Sequence, residues 1–313
     1  MKRRAVTIDL ADWPLRARGT YFEDHVVGRV FDHHWGRTIH ASDNIAFSTQ
    51  MLSFNPEYFN REVAHERGHR DEVVNPLLVF GVAFGLSVED LSEAGGPFLG
   101  GTDVNYHRSV YPGETLYASS VVVDARLSTS RPDVGIVTWH TEGRTAADDI
   151  VIDFHRTNLV RRRPAERNLA ENVTGYAEDF VPGTRFRHAR TRTVTDLDLN
   201  GLTLLLMNSA AGHFSDQAMA NTEFGERINF GGMSLSLTIG LATQDTAGQL
   251  VREIGMTDIK FPIPVKRGDT IGALTEVLDV DDAGCVNFRH FGLNQRGQVV
   301  CEVTRRVQVR RRP

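Results

Sequence analysis

The 313-residue sequence predicts an α+β fold: one domain written twice in tandem, each copy a buried helix wrapped by an antiparallel β-sheet. Three observations carry this. The chain aligns with itself at a constant offset. Each copy holds one apolar segment of helix length, and in each copy that segment is followed by three runs of strand character separated by turn signals.

The repeat comes first because the other elements are read against it. Thr102 and Asp103 fall on Thr257 and Asp258, an offset of 155 positions, and the same offset lays Val110 on Val265 and Gly113 on Gly268. Without a gap it also places Arg37-Thr38-Ile39 on Arg192-Thr193-Val194, Asp43 on Asp198, Gly85-Leu86 on Gly240-Leu241 and Asp90 on Asp245. Each copy ends in Arg-Arg-Arg-Pro, at Pro164 and Pro313, where shorter hairpin loops have shrunk the offset to 149. The expected boundaries are residues 1–164 for the first copy, a polar linker over 165–182, and 183–313 for the second.

Leu78 to Val88 and Met233 to Thr243 have the length and all-round hydrophobicity of a buried helix. Strand-forming runs follow at Thr115 to Val123, Val134 to Thr141 and Ile150 to Val160, and again at Thr270 to Leu278, Val286 to Gly292 and Val299 to Val309. Tyr111-Pro112-Gly113 and Gln295-Arg296-Gly297 are turn signals that fit an antiparallel meander. One helix on one antiparallel sheet is an α+β layer arrangement, and two copies suggest a pseudo-twofold pair.

Composition narrows the function classes. With 35 Lys+Arg against 40 Asp+Glu, the formal charge of −5 argues against a nucleic-acid partner. Two cysteines are too few for a disulfide framework and match a reducing compartment, so a cytoplasmic protein is expected. No apolar run approaches the roughly 18 residues of a membrane helix, so no membrane partner is expected.

The internal copy is a control for chemistry: polar residues kept in one copy and replaced in its twin are those the fold can do without. In the second copy Asn208, His213 and Gly231 stand where the first has Ser53, Tyr58 and Pro76. Proline has no N–H to donate.

On Asn55-Pro56, Asn208, His213, Gly231, the Gly240-Leu241 helix and the Thr-Asp-hydrophobic and Pro-Val-x-x-Gly-Asp-Thr pattern of the second copy, the chain resembles the MaoC-like, (R)-specific enoyl-CoA hydratase family of hot-dog proteins. The resemblance covers nearly the whole chain as a double hot-dog, and Gly36-Arg37-Thr38 is similar to a segment of mesaconyl-CoA-hydratase-like members. It implies a hydro-lyase that adds water to, or removes it from, an acyl thioester carried on coenzyme A or an acyl carrier protein. No cofactor or metal is implied, and a homodimer of double hot dogs is an assembly the fold allows. The family's usual Asp is absent from both copies, and Phe230 replaces the His of its His-Gly pair.

The expected site is therefore His213 as general base and acid, Asn208 orienting water or a substrate hydroxyl, and the Gly231 N–H at a helix N-terminus receiving charge on the thioester oxygen. The first copy, degenerate at this site, would help form the acyl pocket. Hydrolysis of the thioester and a catalytically silent binding protein are the rival readings. His65-Glu66-Arg67-Gly68-His69 spells a zinc-protease pattern but has no third ligand, and Gly68 reads as a helix cap. His33, His34 and His40 read as polar surface. The two Arg-Arg-Arg-Pro ends read as solvated strand ends or as phosphate contacts.

Overall fold

The structure is a computed structural model that describes residues 6–164 and 168–313. After a short strand β1 (Leu15–Arg16), the first copy runs β2 (Val30–Thr38), α1 (Ala41–Gln50), α2 (Arg61–Glu66), α3 (Pro76–Leu91), β3 (Phe98–Tyr106), β4 (Thr115–Leu127), β5 (Val134–Thr145) and β6 (Ile150–Arg161). The second runs β7 (Arg185–Thr193), α4 (Thr203–Leu205), α5 (Asp216–Met219), α6 (Gly231–Thr246), β8 (Leu250–Lys260), β9 (Thr270–Val280), β10 (Cys285–Leu293) and β11 (Val299–Val309). Both bounds of α3 map onto those of α6 at the offset of 155, as do both bounds of β2 and β7.

In each copy the sheet wraps its long helix. The strand order is β2-β4-β5-β6-β3 in one and β1-β7-β9-β10-β11-β8 in the other, antiparallel throughout except where β1 joins β7 in parallel. Each unit is a hot-dog, and the chain is a double hot-dog. The long meander strands fall where the sequence expects them. The outer strands β2, β3, β7 and β8 it does not single out as runs, because bulges interrupt the alternation, between Asp32 and Gly36 in one case and between Thr102 and Asn105 in another.

The two helices bury different chemistry. Leu78, Val79, Val82 and Ala83 of α3 enter an apolar core with Ile39, Leu116, Ile152 and Phe154. The buried residues of α6 are Ser234, Thr238, Ala242, Asp245 and Thr246. Thr238 and Thr246 donate to carbonyls one turn back, Ser234 and Ala242, at 2.8 Å each, which satisfies their hydroxyls inside the core.

The repeat offset alone assigns the N-terminal segment to the first copy, yet compactness groups residues 6–17 with 168–313 and leaves 18–164 as the other unit. Strand pairing is the reason: Leu15 and Arg16 lie beside Arg187 and His188, Trp13 is buried with Leu274, Leu293 and Val299, and the Arg16 guanidinium sits 3.6 Å from the Phe186 ring centre. Residues 165–167 of the expected linker lie outside the described residues; further on, Ala177 and Phe180 are buried in the second unit's core. Among the described residues no helix is long and apolar enough to cross a membrane.

Candidate active site

His213 closes a 3₁₀ turn, Ala211–His213, in the second copy. The turn is prepared upstream. Met207 adopts a left-handed backbone (φ 57°), as its counterpart Leu52 does (φ 56°), and the chain then reverses. Asn208 Oδ1 accepts from the Ala210 N–H at 3.0 Å, and the Ala210 carbonyl accepts from the His213 N–H at 3.2 Å. Asn208 thus fixes the chain just ahead of the turn that presents His213, whose N-cap is Ala210.

The imidazole is fixed by one bond. His213 Nδ1 lies 2.9 Å from the Ile228 carbonyl, which can only accept, so Nδ1 carries the proton. In the neutral ring Nε2 then bears the lone pair. The Ile228 N–H donates back to the Gly212 carbonyl at 3.3 Å, and the His213 ring stands 5.7 Å from that of Phe230. These contacts bring His213 to the start of α6.

That helix start is open. Its N-cap, Phe230, offers no side-chain acceptor, and Gly231 and Gly232 occupy the first two helical positions, whose N–H groups have no partner within a helix. Glycine also suits the space, since a Cβ on Gly232 would lie 2.5 Å from the Phe230 ring. At the same place in the first copy Asn75 accepts from the Leu77 N–H at 3.0 Å, and Pro76 has no N–H. One helix N-terminus can receive an anion and its twin is closed.

The first copy uses the equivalent carbonyl differently. There Asn44 donates to the Val73 and Tyr58 carbonyls at 3.0 Å each. The counterpart of Asn44 is the buried Leu199, which leaves the Ile228 carbonyl, counterpart of Val73, for His213. The residue before that carbonyl is anchored in both copies by a pair of reversed charge. Arg227 binds Asp216 at 2.6 Å and Asp196 at 3.0 Å, whereas Glu72 binds Arg61 at 3.5 Å.

Other polar groups fall elsewhere. Helix α2 ends at Glu66, and His65 and His69 turn to the Arg70 carbonyl and the Tyr111 hydroxyl, so the zinc-like pattern does not share a helix face. Arg37 pairs with Asp43 at 3.4 Å and Arg192 pairs with Asp198, so the arginine of Gly36-Arg37-Thr38 pins the start of α1. The basic strand ends meet acidic turns of their own copy: Arg162 and Arg163 bind Glu23 and Asp24, and Arg311 and Arg312 bind Glu178 and Asp179.

His33 is a correction. It is buried, not surface, with Nδ1 at 2.6 Å from Asp90 and Nε2 at 2.9 Å from Ser120. His188 repeats this with Asp245 at 2.6 Å and Thr275 at 2.7 Å, and Thr275 meets His290 at 2.8 Å. Burial, with Arg305 and His188 nearby, holds His290 well below the usual imidazole range, so it is neutral. The signal for this dyad lay in the repeat, because His33 and His188, like Asp90 and Asp245, stand 155 apart.

Comparison with known proteins agrees with this architecture. The profile of a family described as mesaconyl-CoA hydratase matches twice, over residues 5–180 and 168–311. The chain belongs to the mesaconyl-CoA hydratase family. Within that family it is similar to mesaconyl-CoA hydratases of Haloarcula hispanica, at 32% identity over 97% of this chain and 94% of that protein, and of Haloarcula marismortui, at 33% over 92% and 89%. A beta-methylmalyl-CoA dehydratase of Chloroflexus aurantiacus is 26% identical over 83% of this chain and 82% of its own length.

Proposed function

We propose that this protein is an acyl-CoA hydro-lyase that reversibly adds water to mesaconyl-CoA or a close branched enoyl-CoA, with His213, Asn208 and Gly231 of the second copy as the reacting set. The observation that carries the reading is the fixed imidazole: Nδ1 held by the Ile228 carbonyl leaves Nε2 basic beside an uncapped helix start. Relatives named as hydratases and a dehydratase of CoA esters support the substrate class and both directions.

In the hydration direction the Asn208 amide orients water. His213 Nε2 takes a proton from it as the oxygen bonds to the β-carbon. The electron pair of the double bond moves toward the thioester, whose oxygen receives the Gly231 N–H at the positive end of α6. The imidazolium then returns a proton to the α-carbon, and the double bond has gained H and OH. Among the described residues no carboxylate partners His213, and the Ile228 carbonyl orients its ring.

The test is incubation of the purified protein with mesaconyl-CoA, following loss of the enoyl thioester and any release of free thiol. Hydration without thiol release is expected, falling about 100- to 10,000-fold in His213→Ala, while Tyr58→Phe retains most activity. Thiol release without hydration would make the protein a thioesterase, and binding without turnover would make it silent. Full activity in His213→Ala would remove the site assignment.

A further inference from the structure

The first copy holds a charge that nothing in the proposed reaction uses. Arg156 is 1% exposed, and its Nε and both terminal nitrogens are buried without a hydrogen-bond partner. Its guanidinium lies 4.3 Å from the Phe84 ring centre and 5.2 Å from that of Trp139. Cation–π contact offsets only part of the cost of removing an unpaired charge from water. Burial lowers its pKa only to about 10, so it stays protonated at neutral pH.

The second copy shows what such an arginine is built to hold. Arg156 pairs in register with Gly101, as Arg305 does with Met256, so the two arginines are equivalent. Arg305, also 1% exposed, is gripped by the Glu253 carboxylate through two bonds, one of them Nε to Oε2 at 3.0 Å. At the offset of 155 the place of Glu253 is taken by Phe98. Phe98 is 49% exposed and packs at 5.3 Å on Phe84, the ring over which the guanidinium lies. Gly95, Gly96, Gly100 and Gly101 flank it, three of them with φ between 105° and 155°, and lend the main chain that carries this ring unusual freedom. Two residues along the inward face of β6, Asn158 Oδ1 is also buried without a partner.

We propose that Arg156 is the anchor of a carboxylate-binding site in the first copy, occupied by a small organic acid whose carboxylate takes the place that Glu253 fills in the second. The planar guanidinium matches a carboxylate in two-bond geometry. The walls of Phe84, Trp139 and Phe98 select an acid with an apolar portion next to the carboxylate over inorganic anions.

Two variants of the full chain test this. Phe98→Glu rebuilds the pair of the second copy, and Arg156→Met removes the charge while keeping bulk. Neither touches His213, Asn208 or Gly231. Thermal unfolding is followed with isobutyrate, mesaconate or, as an ionic-strength control, chloride. Both organic acids are expected to raise the wild-type midpoint with saturation and chloride not to, and both variants, already more stable without ligand, to lose that response at least tenfold in apparent affinity. Absence of an organic-acid response in the wild type, an equal response to chloride, or an undiminished response in Phe98→Glu overturns the site. A Phe98→Glu chain less stable than the wild type would show that Arg156 already has its counter-charge, and would overturn it as well.

Discussion

Gly231 is the residue at which the two copies differ most usefully, because the first copy has already carried out the substitution that tests it. Pro76 begins α3 at the position where Gly231 begins α6, and both helices span 16 residues. Proline is favoured at the first helical position, and Phe230 (φ −59°, ψ 132°) is already in the extended region a following proline requires. Gly231→Pro is therefore expected to fold with little change in unfolding midpoint and to lose about 100- to 1,000-fold in kcat/KM for the acyl-CoA substrate. Gly231→Ala is the control: it meets the same Phe261 ring, 3.1 Å from a Cβ, but keeps the N–H. Equal activity of the proline and alanine variants would remove the oxyanion role.

At the scale of elements, the helix and sheet of each copy are tied by the same His–Asp pair in two solvent environments. His33–Asp90 and His188–Asp245 are both 2.6 Å apart, yet the Asp90 side chain is 28% exposed and that of Asp245 only 4%. Water can replace the first carboxylate but not the second. Asp245→Ala is expected to cost about 1–3 kcal/mol by leaving buried donors unsatisfied, and Asp90→Ala less than about 1 kcal/mol. Chemical denaturation of the two variants checks the order, and equal costs would contradict it. These pairs were legible only as an echo of the repeat. A histidine in a strand reads as surface until the strand is seen to turn that position onto the helix.

At the scale of the whole chain, each copy closes its C-terminal strand with arginines bound to an acidic turn early in the same copy. The hydrogen bond from Arg311 holds the Glu178 carboxyl down at about 2, against 4.5 ordinarily. A depressed carboxylate contributes stability that is complete above the unfolded value and is lost as pH falls through the folded one. This pair should thus add no pH dependence to the unfolding midpoint near neutrality and make it decline between about pH 4.5 and 2. Glu178→Gln should flatten part of that acid decline: its midpoint lies below the wild type's at pH 7, by a small amount because the pair is solvent-exposed, and meets the wild type's near pH 2. A scan of midpoint against pH for both proteins decides it, and parallel curves would show that the pair is not linked to folding.

What the sequence determined by itself is whatever is written locally or at a fixed offset. The duplication, the two buried helices and the meander strands follow from periodicity and from comparing one copy with the other; that comparison, together with the family resemblance, singles out Asn208, His213 and Gly231 as the proposed site. The tertiary structure decided which groups meet. Leu199 in place of Asn44 frees the Ile228 carbonyl for His213; Phe98 in place of Glu253 leaves Arg156 without the partner that Arg305 has; the N-terminal strand joins the second sheet. Each depends on the direction of a side chain across a packed interface between segments far apart in sequence. Hydrophobic patterning specifies which face is buried and carries no record of which carbonyl or carboxylate waits there.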